Sequence, residues 1–386
     1  MTDVVIAGIG QTPVGEHWGT SLCSLAVQAI HAALEDAGGI KPQALFAANV
    51  LAPNLSRQAH VGTLLADYAG LTGIEAATIE VGGASGGAAL RQAYLAVKSG
   101  LVEAALVVGV EKFTDGIGAD LETAAATQTD NEYEAVHGIT PTVQAALLAR
   151  RYQHEFHLPA DGLAGFPLTA HQNSIGNPYA MYHNQVALKT YQAAEPVFDP
   201  LNLFDIAPYA DGAAAVLLTR LELLPSRLAH PVVRIAASAS VSDTLGLHDR
   251  PDPLTFRAAR QSVQTALDKA GLHLEQIDLF EYFDAFSIYA ALSLEAAGFA
   301  PRGQGWKLAT DGAIARTGQI PCATAGGLKA RGNPLGATGV YQAVEATLQL
   351  QGRAGTNQIE GARAAMIQAL SGPASLAVTH ILERKE

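Results

Sequence analysis

Residues 82–93 read G-G-A-S-G-G-A-A-L-R-Q-A, and residues 332–343 read G-N-P-L-G-A-T-G-V-Y-Q-A. The two stretches align at an offset of 250, which sets Gly83 opposite Asn333. In the first, an apolar strand pattern leads into a glycine-rich turn and then into an alanine-rich helix pattern. Such a strand–glycine–helix junction presents free backbone N–H groups and a partial positive charge at its helix N-terminus. Ser85 is the one reactive side chain at its tip.

The duplication extends outward. A-L-E-D-A-G-G (33–39) parallels A-L-D-K-A-G-L (266–272), and L-F-A-A-N (45–49) parallels L-F-E-Y-F (279–283). A period this long does not describe a solenoid. It describes a doubled βα domain with pseudo-twofold symmetry, in which two helix N-termini meet near the dyad and can stabilise a thioester oxyanion or enolate.

Pattern fills in the elements. Val4–Ile9, Leu45–Val50 and Ala105–Val110 are buried-strand runs, and residues 21–37 have helical periodicity that stops at Gly38-Gly39. A helix is expected over 88–98, an apolar strand after Asp211-Gly212, and a second α/β half from Pro231. Strands alternating with helices imply parallel sheets covered on both faces. Residues 115–230 differ, being rich in Tyr, His, Asn and Pro, and read as a long excursion with its own helices.

Composition narrows the function classes. The 386 residues are 49% hydrophobic and 16% charged, with 38 glycines, which suits a packed α/β protein with two or three domains. A formal charge of −12 argues against nucleic acid and anionic lipid as partners. Cys23 and Cys322 form neither a disulfide framework nor a four-ligand zinc site, so no metal is expected. The N-terminus reads as a strand, and no apolar run reaches the ~20 residues of a membrane span. A reducing cytoplasm is the expected location.

Taken together, the motifs resemble the thiolase superfamily, most closely its archaeal and sterol-carrier-protein-type branch. The resemblance covers essentially the whole chain. It rests on the V-V-I-A-G-I-G start, A-S-G-G-A-A (84–89), G-V-E-K-F-T (109–114), D-P-L-N-L-F-D (199–205) and D-G-A-A-A-V (211–216). It continues in E-Y-F-D-A-F-S (281–287), G-G-L-K-A-R-G-N-P-L-G-A-T-G (326–339) and S-G-P-A-S-L-A-V-T-H-I-L (371–382). The resemblance implies an α/β thiolase fold: two duplicated βαβαβαββ halves in five α-β-α-β-α layers, plus an inserted loop domain. The halves would span 1–114 with 205–230, and 231–386, around a loop domain at 115–204. It also implies a homodimer and a coenzyme A thioester as substrate, with no permanently bound cofactor.

Thiolases carry the acyl group on a cysteine at a helix N-terminus, assisted by histidines and a second cysteine. Here the nucleophile's position is Gly83 in G-A-S-G, and the histidine of the H-D-x-F motif is Phe283. The second cysteine's position is Ala285, and the histidine of G-H-P is Asn333. These four differences argue against acyl-cysteine chemistry.

Other residues remain as candidates, each with two readings. The Gly83 amide serves an oxyanion site while the missing side chain makes room for a larger substrate, or Gly83 is a packing glycine. Asn333 donates to a ligand carbonyl, or caps a turn. Asp284 is a general base raised by burial, or a structural carboxylate. Gly372, in the last motif, belongs to the same candidate catalytic set. His137, with Tyr133, Tyr182 and His183 beside it in the excursion, supplies an acid/base group or is an ordinary surface histidine. Tyr282 neighbours Phe283, but strand alternation turns it to the opposite face. Cys322 and Ser85 are substitute nucleophiles, or respectively a buried cysteine on a strand and a local cap. For coenzyme A, the resemblance points to the loop at 238–250, with Ser240, His248 and Arg250.

The leading expectation is aldol or retro-aldol carbon–carbon chemistry on an acyl-CoA without a covalent acyl-enzyme. Thiolase-like acyl-CoA aldolases also lack the cysteine, carry tyrosines where Phe283 and Asn333 stand, and associate with a small zinc-ribbon/OB-fold partner. The alternatives are a non-catalytic acyl-CoA-binding or scaffolding subunit and an acetyl-CoA acyltransferase with an unconventional nucleophile.

Overall fold

A computed structural model describes residues 3–225 and 229–385. The outer ends of the expected halves, residues 1–2 and 386, and the segment 226–228 lie outside the described residues.

The N-terminal half runs β1 (Val4–Gln11), α1 (Leu22–Asp36), β2 (Ala44–Ala48), α2 (Val61–Tyr68), β3 (Glu75–Ile79), α3 (Ser85–Ser99) and β4 (Ala104–Glu111). Helix α1 shows why these residues take these forms. Ser21 accepts the Ser24 N–H at 3.1 Å and caps the start. Leu22, Leu25, Ala26, Ala29, Ile30 and Ala33 make one buried stripe. Beyond the end, Gly38 takes a positive φ of 65°.

The excursion follows with α4 (Ala119–Ala126), α5 (Pro141–Phe156), α6 (Gly165–Ser174), the short α7 (Leu188–Gln192) and a hairpin of β5 (Pro196–Phe198) and β6 (Leu201–Asn202). The chain then re-enters the main sheet as β7 (Gly212–Arg220). The second half comprises β8 (Val232–Ser242), α8 (Arg257–Ala270), β9 (Leu279–Glu281), α9 (Ser287–Ala297) and α10 (Gly305–Thr310), then α11 (Thr338–Gln351), β10 (Ala364–Ser371) and β11 (Leu376–Lys385).

Nine strands form one sheet in the order β3-β2-β4-β7-β1-β8-β11-β10-β9. The expectation of parallel sheets is corrected. Pairing is parallel for β2 with β3 and β4 and for β9 with β10, while β1–β7, β4–β7, β1–β8, β8–β11 and β10–β11 are antiparallel. The reason is that β10 and β11 form a hairpin, and β7 returns from the excursion to insert between β4 and β1. A second difference concerns Cys322, which lies in a single bridge to Phe280 and not in a strand.

Among the described residues the half-sheets join where Val5 and Ile6 pair with Arg234 and Val233, a short seam that lets them diverge around a middle layer. Helices α3 and α11 fill it and pack on strands of both halves, while α1 covers the outer face of one half and α8 that of the other. The layers are thus α-β-α-β-α. At the centre, a Cβ on Gly86 would lie 2.8 Å from the Gly339 and Val340 backbone nitrogens. The repeated glycines let the two helices touch backbone to backbone. Among the described residues, no helix is long and apolar enough to cross a membrane.

Candidate active site

The first junction is a locally closed structure. The Ser85 hydroxyl donates to Gly82 O at 2.6 Å and accepts the Val81 N–H at 2.9 Å, and Ser85 is fully buried. Its oxygen is committed to the turn. Gly82 has a positive φ of 62°, but Gly83 does not. Gly83 is fixed by space: a Cβ there would meet Leu370 O at 2.6 Å and Phe283 Cζ at 2.8 Å. The expectation that the missing side chain frees room for substrate is therefore corrected. The Phe283 ring fills that room, because a planar aromatic packs against a Cα that carries no side chain.

Phe283, Asn333 and Gly372 line one cavity of about 30 Å³, enough for a water or two, and Gly83 is not part of its lining. Five sequence segments converge on it, Gly372 standing for the turn between β10 and β11. The excursion contributes Thr129, Pro141 and Gln144, the segment before β7 contributes Ile206 and Tyr209, and the chain around α9 contributes Phe283, Phe286 and Tyr289. The turn before α11 supplies Asn333 and Leu335.

Asn333 caps its turn. Its Oδ1 accepts the Leu335 N–H at 3.1 Å and the Thr338 hydroxyl at 3.5 Å, which caps the turn. Among the described residues nothing accepts from its Nδ2. Its backbone is held by Pro208 O and the Ala210 N–H, which brings Tyr209 alongside. The Tyr209 ring stacks on Phe113 at 4.7 Å and 10°, and no hydrogen bond from a described residue reaches its hydroxyl. Burial, with Glu122 nearby, raises the Tyr209 pKa and keeps the phenol protonated. Tyr289 is 1% exposed, and no hydrogen bond from a described residue reaches its hydroxyl. Burial raises its pKa, opposed by the charge of Arg250.

Other expected residues lie elsewhere. Asp284 is buried but outside the cavity lining. Its Oδ1 accepts the Leu328 N–H at 2.8 Å, and burial raises its pKa against the opposing charges of Lys329 and Arg331. A carboxylate so placed braces the turn at 327–331. His137 ends a short turn at Ala135–His137, exposed and away from the cavity lining. Tyr282 faces the core, edge-on to Phe280. Cys322 is completely buried, and burial, with Glu281 and Asp284, holds its thiol well above the usual range. It is not activated as a thiolate.

The coenzyme A candidates are likewise dispersed. Ser240 and His248 are exposed, with His248 against the Tyr133 ring at 5.5 Å. Arg250 is corrected outright: it is 7% exposed, and its guanidinium donates to the carbonyls of Thr244 and Pro373. A guanidinium clamped between two loops is not a surface phosphate ligand.

Sequence reasoning missed Tyr209, Tyr289 and Gln144. Tyr209 stands between the motifs at 199–205 and 211–216, and that position was its signal. Gln144 lies on the buried stripe of α5 with Ala145, Leu148 and Ala149, so periodicity alone turns this amide inward.

Comparison with known proteins agrees with the architecture. Residues 4–222 match the thiolase N-terminal domain, and residues 239–384 match the thiolase C-terminal domain-like family. The chain is 39% identical over 386 residues to an acetyl-CoA acetyltransferase of Methanothermobacter thermautotrophicus, covering all of both chains. It is 36% identical to the acetyl-CoA acetyltransferase of Methanocaldococcus jannaschii, over 91% of this chain and 90% of that one. Among solved structures, the Ltp2-ChsH2(DUF35) aldolase superposes with a TM-score of 0.84 at 24% identity, covering 99% of this chain and 98% of that one, a likeness of fold alone. With both domains matched and full-length relatives in hand, the chain belongs to the thiolase superfamily.

Proposed function

We propose that this protein acts on a short acyl-CoA thioester by aldol or retro-aldol chemistry, without an acyl-cysteine intermediate. The observation that carries the reading is the Phe283 ring packed over Gly83, in the space a nucleophilic side chain would need. In the cleavage direction the Cα–Cβ bond of a 3-hydroxyacyl-CoA breaks. Cβ leaves as an aldehyde or ketone, the hydroxyl loses its proton, and the electron pair passes to a thioester enolate. Asn333 Nδ2 and the Gly372 N–H are the donors to the enolate oxygen. Tyr209, held protonated, delivers the proton that quenches the enolate carbon.

Among the described residues, no carboxylate, imidazole, thiol or amine lines the cavity. The base that takes the hydroxyl proton therefore comes from beyond the lining, and a small zinc-ribbon/OB-fold partner protein is the source this reading names. The aldolase structure cited above combines Ltp2 with ChsH2(DUF35). The same lining favours a second reading, a non-catalytic acyl-CoA-binding subunit.

The test is incubation with 3-hydroxybutyryl-CoA, which retro-aldol cleavage converts to acetyl-CoA and acetaldehyde, with the protein alone and with candidate partners. Carbonyl release that falls at least about tenfold in Tyr209→Phe and Asn333→Ala supports the aldol reading. Thioester binding without a carbonyl product favours the binding subunit. Absence of binding at millimolar thioester ends both.

A further inference from the structure

We propose that Gln144 is a specificity residue that selects acyl-CoA ligands carrying a hydroxyl on the acyl group, and that Glu134 sets its orientation. This rests on the reading that the cavity receives the acyl end of an acyl-CoA; at about 30 Å³ it holds only water-sized groups, so its lining side chains must move apart on binding.

Gln144 is 1% exposed and lines the cavity. Its Nε2 donates to Glu134 Oε2 at 2.9 Å. Both Glu134 oxygens already accept backbone N–H groups, so this contact determines which end of the amide is which. Flipping the amide would set its oxygen against a carboxylate oxygen. Oε1 therefore points away from Glu134, and it lies 3.8 Å from where a Cβ on Gly372 would stand. No hydrogen bond from a described residue reaches it, which leaves this oxygen open to accept from a ligand or water in the cavity.

Glu134 is itself immobilised. It is 2% exposed, and it accepts the Leu247 N–H at 2.8 Å and the Asp130 N–H at 3.1 Å. Both Glu134 oxygens are thus held, and the carboxylate that anchors Gln144 Nε2 is fixed in place. Three residues past Leu247, Arg250 donates to Pro373 O, next to Gly372.

The polarity around the cavity is thus divided. Asn333 Nδ2 and the Gly372 N–H are donors suited to a thioester oxygen, and Gln144 Oε1 is an acceptor with nothing to accept. The remaining hydroxyl of the excursion wall, Thr129, donates internally to Ala126 O at 2.8 Å. A ligand that satisfies both sides pairs a carbonyl acceptor with a nearby O–H donor. A 3-hydroxyacyl thioester does so, and a saturated acyl thioester leaves Gln144 unpaired.

Calorimetric binding of 3-hydroxybutyryl-CoA and butyryl-CoA tests this. The wild-type chain is expected to prefer the hydroxylated thioester about tenfold. Gln144→Met, close in size but without the acceptor, should bring the two affinities within about twofold by weakening only the hydroxylated ligand. Butyryl-CoA binding is then the internal check on the fold. Glu134→Gln, which lets the neighbouring amide turn, should reduce the preference severalfold. A wild-type chain without preference, or a preference that survives Gln144→Met, overturns the proposal. A Gln144-dependent preference with no carbonyl product overturns the aldol reading and leaves this one standing. Carbonyl release from a chain whose preference ignores Gln144 does the reverse.

Discussion

The ring of Phe283 lies on the bare Cα of Gly83, with Phe283 Cζ 2.8 Å from where a Cβ would be. The two residues are 200 positions apart, and each makes the other tolerable. Restoring a cysteine at 83 alone should fail on steric grounds. Gly83→Cys is expected to lose about 1–3 kcal/mol through overpacking against Phe283 and Leu370 O. The double variant Gly83→Cys with Phe283→Ala should recover part of that loss, because the ring is the movable half of the clash. Denaturant unfolding of the two variants measures both effects, and equal stability of the single variant and wild type would contradict the packing.

The two remaining nucleophile candidates should stay unmodified. Ser85 spends its hydroxyl on Gly82 O, and Cys322 is buried with its thiol pushed up by burial and by two carboxylates. Intact-mass analysis after incubation with acetyl-CoA should therefore show no acyl adduct on either. A mass increase of one acetyl group that maps to Cys322 or Ser85 would reverse this conclusion.

The helix crossing at the centre of the molecule should be intolerant of any side chain. A Cβ on Gly339 would run into the Gly87 nitrogen and lie 2.8 Å from the Gly86 carbonyl carbon. Backbone cannot rotate away as a side chain can. Gly339→Ala should cost at least about 2 kcal/mol and lower the thermal midpoint. Gly100→Ala serves as a reference for backbone strain without contact, since Gly100 has a φ of 81° and open space around it.

Stability should fall in mild acid through His380. This histidine is fully buried, its Nε2 is 3.0 Å from Gly87 O in the first turn of α3, and burial lowers its pKa from 6.5 to about 4. Above pH 6.5 the ring is neutral in both folded and unfolded chains and contributes no slope. Below 6.5 the unfolded chain takes up the proton first, and the folded state loses about 3 kcal/mol by the time pH reaches 4. His380→Gln removes the titration, so the variant's urea midpoint should change less than the wild type's between pH 6.5 and 4. Parallel slopes in the two proteins would rule this histidine out.

The sequence by itself determined the duplicated α/β architecture. Strand and helix periods, the offset of 250 between the two glycine junctions, and the stop of α1 at Gly38-Gly39 are all patterns that can be read in order along the chain. It also brought Gly83, Phe283, Asn333 and Gly372 under suspicion together; the fold lines one cavity with the last three and sets Gly83 under the Phe283 ring, outside that lining. Side-chain direction was not legible, because it depends on residues far away in the chain. Asp284 turns to the Leu328 N–H and not to the cavity, Arg250 is clamped by Pro373 O, and His137 ends on an exposed turn. Only the tertiary structure brings Gln144 to the cavity from the excursion and Tyr209 from the approach to β7. Only there does the space beside Gly83 prove to be filled. A missing side chain is visible in sequence, but whether its volume becomes a pocket or is packed depends on the neighbour that faces it.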